Sequence, residues 1–293
     1  MKEDKLKIHF LGAAETVTGS KYLIEALGKK IMVDCGLFQG VKKLRNLNWE
    51  YPPINPAEID VVLLTHAHLD HTGYLPKLVK SGFKGAIWGT APTLEIASII
   101  LRDSAKIQEE EAEYANKKGF TKHQPALPLY DLKDAEKAIQ HFKEIPSKEW
   151  LPLFDDIQVR FQYNGHIIGA TFIEMDIAGK RIVFSGDIGR EEDMLLSPPK
   201  RPEKADILLV ESTYGDRLHP KEDLEGKIQD IVHDTWQDGG TLIIPSFAVE
   251  RTQTLMYLFW QLRTKGRMPD IPIYMASPMG AKVFDFFHHH GTW

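Results

Sequence analysis

The stretch THAHLDHTGYLP, residues 65–76, places His66, His68, Asp70 and His71 within six positions, directly after the apolar run VVLL. A run of that kind is typical of a strand that is buried on both faces. Buried ionisable groups need partners, and a metal ion supplies one. Imidazole nitrogens and carboxylate oxygens suit zinc and its neighbours. The stretch therefore predicts a metal-binding loop at the carboxyl end of a buried strand. A polar loop in which Asp70 caps a helix is the alternative.

Two later segments offer further ligands at strand ends. YNGHIIGA places His166 just after a predicted strand, and VFSGDIG places Asp187 at the end of an apolar run. The four candidates at 66–71 exceed the needs of one tetrahedral ion, because catalytic zinc leaves a position open. A carboxylate that bridges two ions is typical of two-metal sites. We therefore expect a two-metal centre; the alternative is that His166 and Asp187 are turn formers.

The composition is that of a soluble globular protein, with 43% hydrophobic and 26% charged residues in 293. No apolar stretch approaches the ~20 residues of a membrane span, so we expect no membrane association and no signal peptide. Cys35 is the single cysteine, and a cytoplasmic location is expected. The net charge of −5 disfavours a protein that coats nucleic acid, but it is compatible with an enzyme that holds a few phosphates.

The apolar pattern predicts two regions of different organisation. In the first, strands are predicted at 6–12, 21–26, 30–36, 59–66, 157–164, 171–179 and 180–187, the last two forming a hairpin about Gly179. Helices are predicted at 93–119 and at 131–145, with Asp131 as N-cap of the latter. After a Pro/Lys-rich connector at 197–206, strands at 207–213, 241–245 and 271–275 alternate with helices at 220–237, 249–265 and from Pro278. That alternation predicts parallel βα units.

These motifs together resemble the metallo-β-lactamase superfamily. Asp34 in VDCG, the His-x-His-x-Asp-His loop, His166 and Asp187 match its first four motifs in order and spacing. The resemblance implies two zinc ions. Ligands of one would be His66, His68 and His166, and ligands of the other Asp70 and His71, with Asp187 bridging both and Asp34 as a carboxylate that holds the ligand loop.

The later motifs resemble the β-CASP nuclease branch of that superfamily. VESTYGDR (210–217) resembles the acidic motif that opens the branch, with Glu211 as its carboxylate. GGTLIIPSFAVERTQTLMYLF (239–259) and IPIYMASPMGAKVF (271–284) resemble the first segments of its inserted domain, although Glu250 and Ala276 stand where a glycine and an aspartate are expected. FLGAAETVTGSKYLIE with DCGLFQG resembles the group that includes the endonuclease subunit of the mRNA cleavage and polyadenylation machinery.

The resemblance implies an α/β fold in two parts. A metallo-β-lactamase αββα sandwich would occupy 1–216, without its C-terminal segment, and the first part of an inserted parallel α/β (β-CASP) domain would occupy 217–293. It further implies a zinc-dependent ribonuclease that hydrolyses single-stranded RNA by a metal-bound hydroxide, endonucleolytically and with 5′-to-3′ exonuclease activity as a further mode. Asp70 would orient or deprotonate the water. Glu211 would hold a protonated histidine, the leaving-group acid, which by this resemblance lies beyond Trp293.

Ser246 and Arg251 are candidates for binding a substrate phosphate at a helix N-terminus. The alternative for Arg251 is a surface ion pair with Glu250 or Asp238. Two other functions stay open: a small-molecule ester or thioester metallohydrolase, which leaves ESTYG and the βα units unexplained, and a non-catalytic RNA-processing subunit, against which the intact metal motifs argue. The sequence does not decide between RNA and DNA, and it leaves the oligomeric state, including a homodimer, open.

Overall fold

The computed structural model describes residues 6–50, 54–121, 123–218 and 223–289. It divides into two compact units, one made of Met1–Asp193 with Ser197–Glu211 and the other of Met194–Leu196 with Ser212–Trp293.

The first unit contains a six-stranded sheet in the order β1-β2-β3-β4-β5-β6. Its strands are β1 (Lys7–Gly12), β2 (Lys21–Ala26), β3 (Lys29–Val33), β4 (Val61–Leu63), β5 (Ala86–Gly89) and β6 (Phe142–Glu144). Strands β1 to β3 are antiparallel neighbours, whereas β3, β4, β5 and β6 run parallel. Every residue of β4 is buried, as the VVLL run predicted. The parallel strands bring the residues that follow β3 and β4 to the same edge of the sheet.

A second sheet of five strands has the order β11-β10-β9-β8-β7. Its strands are β7 (Leu151–Phe154), β8 (Ile157–Tyr163), β9 (Thr171–Ile177), β10 (Lys180–Phe184) and β11 (Ile207–Leu209). The hairpin predicted about Gly179 is confirmed: β9 and β10 pair antiparallel, and Gly179 has φ +71°, a conformation that favours glycine. Strand β11 pairs parallel to β10, which places Glu211 beside the residues that follow β10.

The two sheets pack face to face. Inward-facing residues of both sheets, among them Ile31, Val33, Leu63, Phe161 and Met175, form one buried cluster. Burial of β8 alternates strictly, with Ile157, Val159, Phe161 and Tyr163 buried and the residues between them partly or fully exposed, as expected of a strand with one covered face. The outer face of the first sheet packs against helices through a second cluster that includes Val62, Leu75, Leu101 and Tyr130.

The helices of this unit are α1 (Lys42–Asn46), α2 (Leu69–Thr72), α3 (Leu75–Lys80), α4 (Ala91–Lys118) and α5 (Leu132–Ile139). The predicted N-cap of α5 is confirmed, because the Asp131 side chain accepts a hydrogen bond from the Asp134 N–H. The prediction that this helix runs to residue 145 is wrong. It ends at Ile139, and Phe142–Glu144 pairs with β5 instead, because the apolar positions after Ile139 gain more by completing the sheet than by extending the helix.

The second unit contains α6 (Leu224–Gln237), α7 (Arg251–Thr264) and α8 (Pro278–His289). Val232, Leu258, Phe259, Leu262 and Met268 form its buried cluster. The strands predicted at 241–245 and 271–275 are not formed within the described part of this unit, and Ile243 and Tyr274 are 81% and 86% exposed there. An apolar run becomes a strand only when a neighbouring strand binds its N–H and C=O groups, and no such neighbour lies among residues 223–289. No helix in the described ranges is both long and apolar enough to cross a membrane.

Candidate metal centre

Asp34 and Thr65 organise the edge of the first sheet where β3 and β4 end. The Asp34 N–H donates to the Leu63 carbonyl (2.9 Å). In return, the Asp34 carboxylate accepts from the Thr65 N–H and from the Thr65 hydroxyl, each at 2.8 Å. Asp34 is buried and has φ +56°, a region in which aspartate is tolerated better than most residues. The carboxylate therefore joins the two strand ends and sets where the histidine loop begins.

The same carboxylate fixes the protons of two imidazoles. Because Thr65 donates to Asp34, its hydroxyl oxygen accepts from His66 Nδ1 (3.0 Å). Asp34 Oδ2 also accepts from His71 Nδ1 at 2.7 Å. In both rings the proton then lies on Nδ1, and Nε2 carries the lone pair that a metal ligand needs.

Three imidazole nitrogens converge on one point. His68 Nδ1 lies 3.1 Å from His66 Nε2 and 3.1 Å from His166 Nε2. Nitrogens bound tetrahedrally to zinc at 2.0–2.1 Å lie about 3.3 Å apart. The separations in this protein are close to that value, so the three rings fit a shared cation without rearrangement.

Asp187 completes this group and joins it to a second one. Its Oδ2 lies 3.4 Å from His166 Nε2 and 3.7 Å from His66 Nε2, and its Oδ1 lies 3.2 Å from His71 Nε2. One ligand atom from each of His66, His68, His166 and Asp187 lies within 4.8 Å of the others. The two carboxylate oxygens thus face two different sets of imidazoles, as a bridging ligand must.

The second group consists of Asp70, His71 and Asp187. His71 Nε2 lies 4.0 Å from Asp70 Oδ2 and 3.2 Å from Asp187 Oδ1. Two carboxylates around one imidazole nitrogen make an anionic, oxygen-rich donor set that fits a second divalent cation. The structure thus brings together all six candidate ligand residues inferred from the sequence, although they come from three separate segments of the chain.

Close backbone packing holds these loops in place. A Cβ atom added to Gly36 would lie 1.5 Å from the Asp70 carbonyl oxygen, and one added to Gly189 would lie 1.8 Å from that of Gly165. The Asn164 amide donates to the carbonyls of Ser185 and Asp187 (3.1 and 2.8 Å), so the loop of His166 is tied to the loop of Asp187. Thr65 and Asn164 were not among the residues predicted from the sequence. A hydroxyl just before the histidine cluster and the turn-forming Asn-Gly of YNGHIIGA were the available signals.

The electrostatics of the metal-free site favour neutral His66 and His68, a protonated His71 and an ionised Asp187. Burial lowers the pKa of His66 well below its usual value, and burial with the neighbouring His166 lowers the pKa of His68 to about 3. Burial opposes ionisation of Asp187, but the hydrogen bond and charge of His71 outweigh it and lower its pKa to about 2. Against the effect of its own burial, His71 has its pKa raised well above the usual value by Asp34 and Asp187. A divalent cation would replace the His71 proton between these carboxylates.

Glu211 lies at this centre, beyond the end of β11. Its Oε1 accepts from the Ile188 N–H at 2.8 Å, and its own N–H donates to the Ser185 hydroxyl at 3.0 Å. Both bonds hold the loop that carries Asp187. Glu211 therefore holds the loop that carries the Asp187 carboxylate.

Ser246 and Arg251 belong to the second unit and are described within it. The Ser246 hydroxyl lies 3.1 Å from the Thr252 hydroxyl, whose own bond goes to the Phe247 carbonyl (2.7 Å). Arg251 is the first residue of α7 and is exposed. Ser246 was expected at the end of a strand, but that strand is not formed. The Ser246 hydroxyl nevertheless lies beside the first turn of α7, through its contact with Thr252.

Comparison with known proteins places these observations in a family. Residues 16–218 match the model of the metallo-beta-lactamase superfamily, and residues 252–293 match that of the Beta-Casp domain. The chain is 37% identical over 286 residues to Ribonuclease TTHA0252 of Thermus thermophilus, a match covering 96% of this chain and 61% of the relative. It is 35% identical to Cleavage and polyadenylation specificity factor 73 of Drosophila melanogaster, over 96% of this chain and 40% of the relative. It is 31% identical to Endoribonuclease YSH1 of Candida glabrata, over 98% of this chain and 37% of the relative. The chain thus spans between about a third and two thirds of the length of these curated relatives.

Proposed function

The chain belongs to the metallo-β-lactamase superfamily, and its residues 252–293 match the β-CASP domain; on this basis we propose that the protein is a zinc-dependent ribonuclease that cleaves single-stranded RNA endonucleolytically. The convergence of His66, His68, His166 and Asp187 within 4.8 Å is the observation that carries the proposal. The relatives support RNA as the substrate, since one of them is a ribonuclease and another an endoribonuclease.

The donor set supports zinc as the ion. His66, His68 and His166 would hold one ion, Asp70 and His71 would hold the other, and Asp187 would bind both. Zinc bound by such ligands lowers the pKa of a water molecule to near 7 and withdraws charge from phosphoryl oxygens. Neutral imidazoles with carboxylates, and no cysteine among them, suit a catalytic rather than a structural zinc site.

The chain's own residues supply orientation and proton transfer. Asp70 has a side chain 20% exposed, so its carboxylate oxygens reach both the centre and the solvent and can accept a proton from the attacking water. Asp34 holds the protons of His66 and His71 on Nδ1, away from the reacting groups. Glu211 fixes the Ile188 N–H and with it the loop of Asp187. Ser246, whose hydroxyl lies beside that of Thr252, and Arg251, the first residue of α7, are the phosphate contacts that we propose for the second unit.

The test uses the full-length protein and combines a metal count with cleavage of 5′-labelled single-stranded RNA and DNA. We expect two zinc ions per chain, cleavage of RNA in preference to DNA, and internal cleavage products that are lost on treatment with a chelator. The His68→Ala variant removes a central ligand and should reduce both the zinc content and the rate, the latter by at least about 100-fold.

His9→Ala is the matched control, because His9 lies in β1 with a half-exposed side chain whose ion pair is to Glu25. It should leave zinc content and cleavage unchanged. A zinc-loaded protein that binds RNA but does not cut it would contradict the proposal and favour a non-catalytic subunit. Hydrolysis of small esters without RNA cleavage would instead favour the metallohydrolase alternative.

A further inference from the structure

A short basic segment follows the loop of Asp34. Residues 41–49, VKKLRNLNW, here called the basic arm, contain Lys42, Lys43 and Arg45, and no aspartate or glutamate occurs between residues 35 and 49. The whole chain has a net charge of −5. The concentration of positive charge in this one segment therefore runs against the overall composition.

The arm presents its cations and aromatic ring to solvent. Helix α1 turns Leu44 partly inward, whereas Lys42, Lys43 and Arg45 are all exposed. Within the described ranges of the chain, none of these three cations has a carboxylate partner. The 3₁₀ turn Leu47–Trp49 ends the arm, and Trp49 is 58% exposed. Exposed cations without carboxylate partners and an exposed aromatic ring a few residues along the chain are the groups that single-stranded nucleic acid binds, with its phosphates at the cations and a base on the ring.

Hydrogen bonds hold the basic arm in place near both of its ends. Asn48 is buried, and its side chain accepts from the Phe38 N–H (2.9 Å) and donates to the Phe38 carbonyl (2.8 Å). The neighbouring Gln39 N–H donates to the Thr18 hydroxyl at 2.9 Å. A cationic surface held in one geometry loses less conformational entropy when it binds a ligand.

The residues just before the basic arm, 35–37, contact the segment that carries Asp70 and His71. The Cys35 N–H donates to the His71 carbonyl at 2.7 Å, and the Leu37 N–H donates to the Leu69 carbonyl at 3.1 Å. Gly36, between them, packs directly on the Asp70 backbone. The segment that carries the arm thus lies against the helix that carries two of the ligand residues.

We propose that the basic arm binds the RNA substrate next to the scissile bond, with Lys42, Lys43 and Arg45 on backbone phosphates and Trp49 stacked on a base. This inference rests on the proposed function for the identity of the substrate. The basic arm is then a surface of the first unit that binds RNA of any sequence, and it is already formed before a phosphodiester reaches the metal centre. An arm of this kind holds the strand, and the centre then cleaves whatever phosphate is placed on it.

The test measures binding of fluorescein-labelled single-stranded RNA by anisotropy, with the full-length protein in a chelator so that cleavage does not interfere. The triple variant Lys42→Ala, Lys43→Ala, Arg45→Ala should bind at least about tenfold more weakly at low salt. Its plot of log affinity against log salt should be shallower by about 2, as expected when three phosphate contacts are lost from a single strand. Trp49→Leu should weaken binding roughly tenfold, and Trp49→Tyr should restore most of it, because a second aromatic ring can stack.

A matched triple variant in α4, Lys106→Ala, Lys117→Ala, Lys118→Ala, removes the same number of charges elsewhere on the first unit. It should change affinity less than threefold. Equal losses in the two triple variants would overturn the proposal, because net charge alone would then explain the effect. Unchanged binding in the arm variant would overturn it as well.

Failure of this inference is distinguishable from failure of the proposed function. Hydrolysis of bis(p-nitrophenyl) phosphate by the zinc-loaded protein needs the metal centre but no strand-binding surface. The arm variants should keep this activity, and His68→Ala should lose it. If the arm binds RNA while neither substrate is cleaved, the arm stands and the ribonuclease proposal fails.

Discussion

Replacing Asp34 by asparagine tests how the protein sets the protonation of its ligands. Asparagine retains the shape of aspartate and tolerates the positive φ, but one of its two acceptors becomes an NH₂ donor. If its oxygen keeps the Thr65 N–H, the NH₂ group faces the Thr65 hydroxyl and His71 Nδ1, which lie 2.8 and 2.7 Å from Asp34 Oδ2 in the native protein. The opposite amide orientation would set two N–H donors against each other.

In this favoured orientation, donors and acceptors change places along the hydrogen bonds that lead to His66 and to His71. Thr65 would accept from the introduced amide and donate to His66 Nδ1, while His71 Nδ1 would accept from the same amide. The protons of both rings would then lie on Nε2, where they block metal binding. Changes to the partners of metal ligands cost roughly 10-fold to 100-fold in affinity, and we expect a loss of that size at both metal positions.

Thr65→Val provides the comparison within the site. Valine retains the branched shape and removes only the hydrogen bonds that lead to His66. It should therefore lower the affinity for the ion held by His66, His68 and His166 and leave the affinity for the other ion unchanged. Zinc affinities measured by competition with a chromophoric chelator separate the two binding steps. Asp60→Asn is the control outside the site, because the Asp60 carboxylate accepts from the Lys30 N–H (2.8 Å).

Asp34→Asn should also lower the free energy of unfolding of the metal-free protein by about 2 kcal/mol, since buried charge-assisted hydrogen bonds are lost. Unchanged zinc affinities in Asp34→Asn would refute the tautomer argument. So would a Thr65→Val variant that weakens both binding steps equally.

Two further predictions concern stability. Lys21 is buried between the Phe38 and Tyr74 rings, and burial lowers its pKa to about 8. Because the unfolded chain holds this proton more tightly, burial of the charged ammonium lowers the free energy of unfolding by its full amount below pH 8. This loss of stability disappears as the pH rises towards 10.5. Lys21→Met should therefore raise the free energy of unfolding by about 1–3 kcal/mol at pH 7 in urea titrations and by almost nothing above about pH 10, and a gain that grows with pH would contradict this. Glu250 precedes α7 with φ +69° and ψ −57°, a strained conformation that costs about 1–3 kcal/mol for a residue with a Cβ, so Glu250→Gly should stabilise the protein by about 1 kcal/mol in the same titrations. Glu250→Ala keeps the Cβ and should give no such gain; an equal gain would place the effect in the side-chain charge instead.

Local sequence was sufficient where neighbours along the chain decide the structure. Asp131 predicted the start of α5, and Gly179 predicted the β9–β10 hairpin; both rest on contacts between residues that are close in sequence. The donor types within 66–71 were equally local, so a cation site could be predicted from the motif alone.

Predictions failed where the partner lies far away in sequence. Residues 142–144 continue a helical pattern but form β6, because β5 offers an open edge with its own unsatisfied N–H and C=O groups. Conversely, 241–245 and 271–275 have the composition of strands, and no strand pairs with them among the described residues of the second unit. A strand is a property of two segments, so composition in one of them cannot decide it.

The candidate metal centre likewise has some features that are local in sequence and others that depend on distant segments. The sequence by itself determined the candidate ligand residues, their order and the segment that carries four of them. Only the tertiary structure decided that His166 lies 3.1 Å from His68, which is 98 positions earlier, and that the two oxygens of Asp187 face different imidazoles. That geometry depends on two sheets packing through a shared apolar core and on glycines that admit no Cβ where the loops meet. It is the sum of many weak contacts over the whole first unit, and no single segment contains it.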